Sequence, residues 1–170
     1  MQIIYVTMCM ISLILYLALG LPQQEQQFKI DRQVLAAHMT AWHKGAVRRC
    51  VESSCTAVVD PTAYLFPSMK VGTAFSKDRF TTRYDATTKA LMTSVNAGVP
   101  ASTGLSYDVI MSGLNEKMGG ESSMIGIFDK GTSKVRLTAL TGIYDKKIID
   151  VPSGIAAGMT DGTPVIVSHM

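Results

Sequence analysis

Residues 3–21 read Ile-Ile-Tyr-Val-Thr-Met-Cys-Met-Ile-Ser-Leu-Ile-Leu-Tyr-Leu-Ala-Leu-Gly-Leu, with no charged side chain and with Thr7 and Ser12 as the only small hydroxyl residues. Such hydroxyls bond their own helix backbone, so they do not create a polar face. At about 1.5 Å per residue this run just matches a hydrocarbon layer roughly 30 Å thick. Pro22 is expected to end or kink it, and Gln23-Gln24-Glu25-Gln26-Gln27 follows as a polar, helix-compatible spacer. From Phe28 the period changes. Leu35, Met39, Trp42, Ala46 and Cys50 recur at steps of four, three, four and four. They form one apolar stripe, which predicts an amphipathic helix over 28–51. Arg32, Lys44, Arg48 and Arg49 fall off the stripe, and the last two suit the negative end of a helix dipole.

Beyond 51 the pattern shortens. Residues 63–66 read as a strand stopped by Pro67, 71–75 as a second short one, and Lys77-Asp78-Arg79 as an exposed turn. Over 89–96 Leu91, Thr93 and Val95 alternate with Ala90, Met92 and Ser94, a strand signature closed by Gly98 and Pro100. A second helix is predicted over 102–118, with Leu105, Ile110, Leu114 and Met118 on one face, Tyr107 and Met111 beside it, and Gly119-Gly120 ending it. Residues 123–129 and 134–140 form a predicted hairpin across Lys130-Gly131-Thr132-Ser133. Ile148-Ile149-Asp150-Val151 is a short strand before Pro152, and Asp161-Gly162 a turn. Thr163 to Val167 is a last strand, where Pro164 suits a strand start or a sheet edge. The sum is an α+β fold. An N-terminal transmembrane helix (1–21) and a spacer (22–27) precede a domain (28–170) in which an amphipathic helix packs on an antiparallel sheet with a second helix.

Composition agrees with one foldable domain: 47 % apolar, 17 % charged, net charge +3. The charge is too small and too scattered for a nucleic-acid partner. Of the eleven methionines, several lie in the apolar N-terminal run or near its flank, and the rest read as core fillers. The long uncharged run with no basic residue before it favours an uncleaved anchor over a signal peptide, although Ala18-Leu19-Gly20 offers a small-residue cleavage site. Lys29 and Arg32 follow the run, so the charge rule alone would place the domain on the cytoplasmic side.

Chemistry-bearing patterns are sparse. Cys50 and Cys55 pair only if the helix breaks between them, since five helical residues hold the Cα atoms about 8 Å apart. Ser53 and Ser54 offer such a break. A disulfide, free buried thiols, or a metal site with His38 and His43 remain open, in that order of preference; the histidines lie five apart, whereas one helix face wants three or four. A disulfide would imply an oxidising compartment. His38 reads as a solvated histidine and His169 as frayed. No nucleophile elbow, phosphate-binding glycine loop or paired zinc-histidine motif occurs. We therefore expect no enzyme, no catalytic, cofactor or metal residues, and no small-molecule substrate. Leu35, Met39, Trp42 and Ala46 form either a core face or a partner-binding face, and for Trp42 packing is the default.

The layout resembles the PilM family of type IV pilus systems, which accompanies the thin pili of conjugative plasmids. The resemblance rests on the apolar N-terminal helix, on Ala36-Ala37-His38-Met39-Thr40-Ala41-Trp42-His43-Lys44-Gly45-Ala46, on Val151-Pro152-Ser153-Gly154-Ile155 and on Asp161-Gly162-Thr163-Pro164-Val165-Ile166-Val167. The Cys50/Cys55 pair departs from it. The resemblance implies a membrane-anchored accessory protein of pilus biogenesis. Such a protein would be a single-pass protein of the bacterial inner membrane with a periplasmic domain, and its partners would be other pilus-assembly proteins. The alternative is a minor pilin or pilin-like surface subunit. A pilin leader and a glutamate near the start of the apolar run are missing; Tyr5 stands there.

Overall fold

The structure, a computed structural model, describes residues 2–65, 77–118, 124–137, 148–156 and 158–170; before residue 26, side chains are described for 8–12. One helix, α1 (Gln2–Glu52), has 51 residues and is therefore about 75 Å long. The expected break at Pro22 is absent: the helix runs through the proline and the spacer, which is rich in good helix formers. The boundaries at 21/22 and 27/28 thus fall inside a single element. Among the described residues no helix is long and apolar enough to cross a membrane. This overturns the transmembrane anchor and the single-pass inner-membrane assignment, and the periplasmic placement of the domain that depended on that anchor goes with them. In physical terms, a spanning segment needs about 20 consecutive apolar residues. The described side chains of α1 supply a run of four at 8–11, before Ser12; from 26 onward Lys29, Asp31 and Arg32, and then Lys44, Arg48 and Arg49, interrupt every such window.

After α1 come a 3-10 turn (Thr62–Tyr64), β1 (Phe80–Asp85), β2 (Ala90–Val95), α2 (Val99–Thr103), α3 (Tyr107–Met118), β3 (Met124–Asp129), β4 (Lys134–Leu137), β5 (Ile148–Asp150), α4 (Ser153–Ala156) and β6 (Pro164–His169). The sheet order is β1-β2-β6-β3-β4-β5, and every adjacent pair is antiparallel. The fold is α+β with a six-stranded antiparallel sheet.

Several elements differ from the sequence pattern. Residues 62–64 form a 3-10 turn in place of the strand predicted over 63–66. Residues 66 and 71–75 lie outside the described residues, as do Gly119-Gly120 and 138–140. The pattern does not predict β1, because its sequence is largely polar. Yet Phe80 and Thr82 are buried while Thr81 and Arg83 are not, the alternation of a strand. The helix predicted over 102–118 is two helices. Gly104, at φ 70°, ends α2 and donates its N–H to Pro100 O at 2.9 Å. β6 is central, paired with β2 and β3. Pro164 is tolerated there because it is the first residue of the strand. His169 is no frayed end but pairs with Ala90.

The sheet has a covered face on each side. Toward α1 and α3, Val95, Ile125 and Ile166 join Leu35, Ala36, Met39, Trp42, Leu105, Ile110 and Leu114. Ile110, Leu114 and Met118 thus share the predicted buried face of α3. On the other side Met92, Phe128, Val135, Val165 and Val167 pack under Val151, Ile155 and Met159. Arg83 clamps this second cover by donating to Gly154 O at 2.7 Å, within α4. Gly113 allows α1 and α3 to approach closely: a Cβ there would sit 2.8 Å from Arg32 Cγ and 3.1 Å from Arg32 O. Arg32 fastens the same contact by an ion pair to Glu116 at 2.7 Å and a hydrogen bond to Ser112 at 3.2 Å.

Trp42→Ala should destabilise the domain by about 3–5 kcal/mol, the usual range for removing a large buried aromatic, measured as a shift of the urea midpoint. Gly126→Ala should cost about 1–3 kcal/mol, because the new Cβ would meet Val135 Cγ1 and lie 2.6 Å from Arg136 O; an unchanged midpoint would show that β3 and β4 separate more easily than this packing implies.

Candidate functional site

Among the described residues, a cluster of polar side chains lies in the helix–sheet seam. His43 lies on the buried side of α1 and is 1 % exposed. Its Nδ1 is 2.8 Å from Thr93 Oγ1 on β2, and its Nε2 is 2.8 Å from Ser168 Oγ on β6. Thr93 Oγ1 lies in turn 2.7 Å from Thr82 Oγ1 on β1. One imidazole thereby links the helix to two adjacent strands directly and to the third through a hydroxyl. A neutral ring offers one donor and one acceptor, and hydroxyls accommodate either tautomer. Burial pushes the His43 pKa down to about 3, since the charged ring would lose its water without gaining an anion.

A serine hydroxyl on Nε2 has the spacing of a nucleophile–base pair. Two features weigh against that chemistry. The partner on Nδ1 is a hydroxyl, so no carboxylate stabilises an imidazolium. A base with a pKa near 3 is also poorly matched to neutral pH. What the arrangement does supply is registry, because the imidazole fits the seam only where both hydroxyls meet it.

The four residues singled out as core or partner face, Leu35, Met39, Trp42 and Ala46, are all buried, so α1 presents them to the sheet and α3 and not to a partner. Among the described residues Trp42 Nε1 has no hydrogen-bond partner. Cys50 and Cys55 are joined in a disulfide, with Cα atoms 4.6 Å apart. The reversal this needs comes directly after α1: Ser53 donates both N–H and Oγ–H to Arg49 O, at 2.8 and 2.7 Å. His38 is partly buried, its pKa lowered first by desolvation and then by Arg79. Among the described residues no group of three or more His, Cys, Asp or Glu side chains is placed to hold a metal ion.

Among the described residues, exposed large apolar side chains include Val58, Ile148 and Met170 off α1 and Val51 at its end, and several more lie on the rest of α1. Met8, Met10, Ile11, Phe28, Ile30 and Val34 are exposed, Met8 at 68 % and Ile30 at 51 %. Residues 8–12 and 26–31 are exposed without exception, so this part of the helix stands clear of the sheet and α3.

From the sequence, His43 enters only as a weak metal-ligand candidate beside His38, and its structural role is not anticipated. A signal for that role exists: His43 lies four residues after Met39 and three before Ala46 on the apolar side, and Thr93 shares its strand face with Leu91 and Val95. A polar residue facing inward on each of two packed elements is a candidate pair.

His43 makes stability depend on pH in a defined direction. Its folded pKa, about 3, lies below its ordinary 6.5, so the unfolded chain binds the extra proton between these values. Its contribution is complete above about pH 6.5 and falls as pH drops, by up to about 1.4 kcal/mol per unit. The lowered carboxyls of Asp60, Asp85 and Asp129 act in the same direction but only below their ordinary value of 3.8. Urea unfolding at pH 7, 5.5 and 4.5 should show stability falling with acid in the native chain. His43→Gln, which keeps polar atoms but does not titrate, should flatten that slope; equal slopes would mean that His43 is protonated in the fold.

Comparison with known protein families, curated proteins and solved structures found no match for this chain.

Proposed function

We propose that this chain is an accessory protein of type IV pilus biogenesis that acts by protein–protein contacts along its long helix and carries out no chemical step. The observation supporting this reading is the exposed part of α1. Phe28, Ile30 and Val34, with Met8, Met10 and Ile11 nearer its start, are exposed on one helix. Ile30 and Val34, four apart, share one side of it, and apolar side chains on an exposed helix face are a recurrent recognition element. The pilus assignment itself comes from the resemblance of the sequence to the PilM family; the surface supports the contact role.

A second reading, a minor pilin or pilin-like subunit, is favoured by the continuity of α1 through Pro22 and the spacer. A helix that is one rod, with its last third set into a sheet, can pack beside the rods of other subunits.

One experiment separates them. A photo-crosslinking amino acid is placed at Phe28 or Ile30 in cells that assemble the pilus, and adducts are identified in the cell fraction and in sheared filaments. Adducts with assembly proteins in the cell fraction are the expected result; adducts within filaments would select the subunit reading. Phe28→Arg combined with Ile30→Arg should lower piliation by roughly tenfold while moving domain stability by no more than about 0.5 kcal/mol, as for exposed sites. Normal piliation in that variant would overturn both readings.

A further inference from the structure

β1 is an edge strand, paired with β2 along one side. Its other side is met by a strap, residues 56–60, through the isolated bridge between Val58 and Arg83. The Val59 N–H donates to Thr82 O at 3.0 Å, and the Tyr84 N–H donates to Ala57 O at 3.1 Å. A bare strand edge is a template for pairing with another chain, so a cover of this kind matters.

The two ends of the strap are held differently. Val59 is buried beside Ala46 and Leu91. Asp60 next to it accepts from Arg49 through its carbonyl, from the Thr62 N–H at 3.0 Å through its carboxylate, and pairs with Lys77 at 3.8 Å. Thr56 and Ala57, at the other end, are exposed. Thr56 Oγ1 bonds within the strap, to Val58 O at 2.6 Å. The covalent hold on this end is Cys55, tied back to Cys50 in the last turn of α1. Residues 51–54 between the cysteines are exposed, while Cys50 and Cys55 themselves are half-buried and pack, as Tyr84 does, against the Ala46, Val59 and Leu91 cluster.

We propose that the Cys50–Cys55 disulfide is a redox-operated clasp on the sheet edge: its reduction by a dithiol frees the Ala57 end of the strap and bares the Tyr84 end of β1, while the Val59 end stays seated. In the exchange one thiolate of the reductant attacks a cysteine sulfur, and its second thiol resolves the mixed disulfide. Two electrons pass to the protein, two protons complete the Cys50 and Cys55 thiols, and the reductant leaves as its own disulfide. The effect is local because the closed loop is short and constrains the unfolded chain less than a long one, whereas the core clusters hold the rest of the fold.

Amide hydrogen exchange on the full chain, oxidised and after dithiothreitol, tests the clasp residue by residue. The Tyr84 amide is expected to exchange at least roughly tenfold faster after reduction, as for a locally opened segment, with Val59, Thr93 and Ile166 unchanged. The Cys50→Ser, Cys55→Ser double variant should show the same pattern without reductant, which separates the clasp from any effect on the free, exposed Cys9. Unchanged protection at Tyr84 would overturn the proposal. Loss of protection at Thr93 and Ile166 together with Tyr84 would overturn it too, since the disulfide would then be a staple of the whole fold.

Discussion

The structure depends on the seating of the last third of α1 against the sheet and α3. Leu35, Ala36, Met39, Trp42 and Ala46 lose nearly all exposure to water there, and burying a large apolar side chain contributes about 1.5–3 kcal/mol each. No other described element can replace this cover: α2 and α4 have five and four residues, and α3, with twelve, is itself packed on α1 through Gly113. Hydrophobic burial alone would let the helix slide or rotate by a turn. His43 resists that, because a shifted ring would bury its nitrogens without partners, at a cost of about 1–3 kcal/mol for each orphaned group. Apolar area supplies the affinity of helix for sheet, and His43, Thr93 and Ser168 supply the register.

The same seating divides α1 into two regimes. Where it lies on the sheet, its apolar stripe is consumed internally. Before that, its described side chains face outward, and Arg32 with Glu116 marks the change, where the flank of α3 ends. Over this part the fold buries none of the described side chains, so Met8, Met10, Ile11, Phe28 and Ile30 stay exposed and are the surface the proposed protein contacts would use.

At its other end α1 hands the chain to the sheet edge. Ser53 and the disulfide turn the backbone, the strap pairs with β1, and Val59 returns to the core. This corner joins a covalent bond, an edge strand and a core residue within about ten residues of sequence, which is why a change at the disulfide is felt at the strand edge and not in the centre of the sheet.

The amino-acid sequence by itself determined the local elements whose periodicity is strong. The stripe from Leu35 to Cys50, the alternation around Leu91, Thr93 and Val95, the hairpin across 130–133 and the shared face of Ile110, Leu114 and Met118 all follow from side chains three to four or two residues apart, and each reappears in α1, β2, β3–β4 and α3. Only the tertiary structure decided what depends on distant residues. β1 is polar enough to hide its alternation until Thr82 meets Thr93. β6 becomes central because two other strands pair with it. His43 acquires a role only when Thr93 and Ser168, 50 and 125 residues away, close around it. The anchor reading rested on the hydropathy of residues 3–21 alone, and it failed because among the described residues no helix is long and apolar enough to cross a membrane.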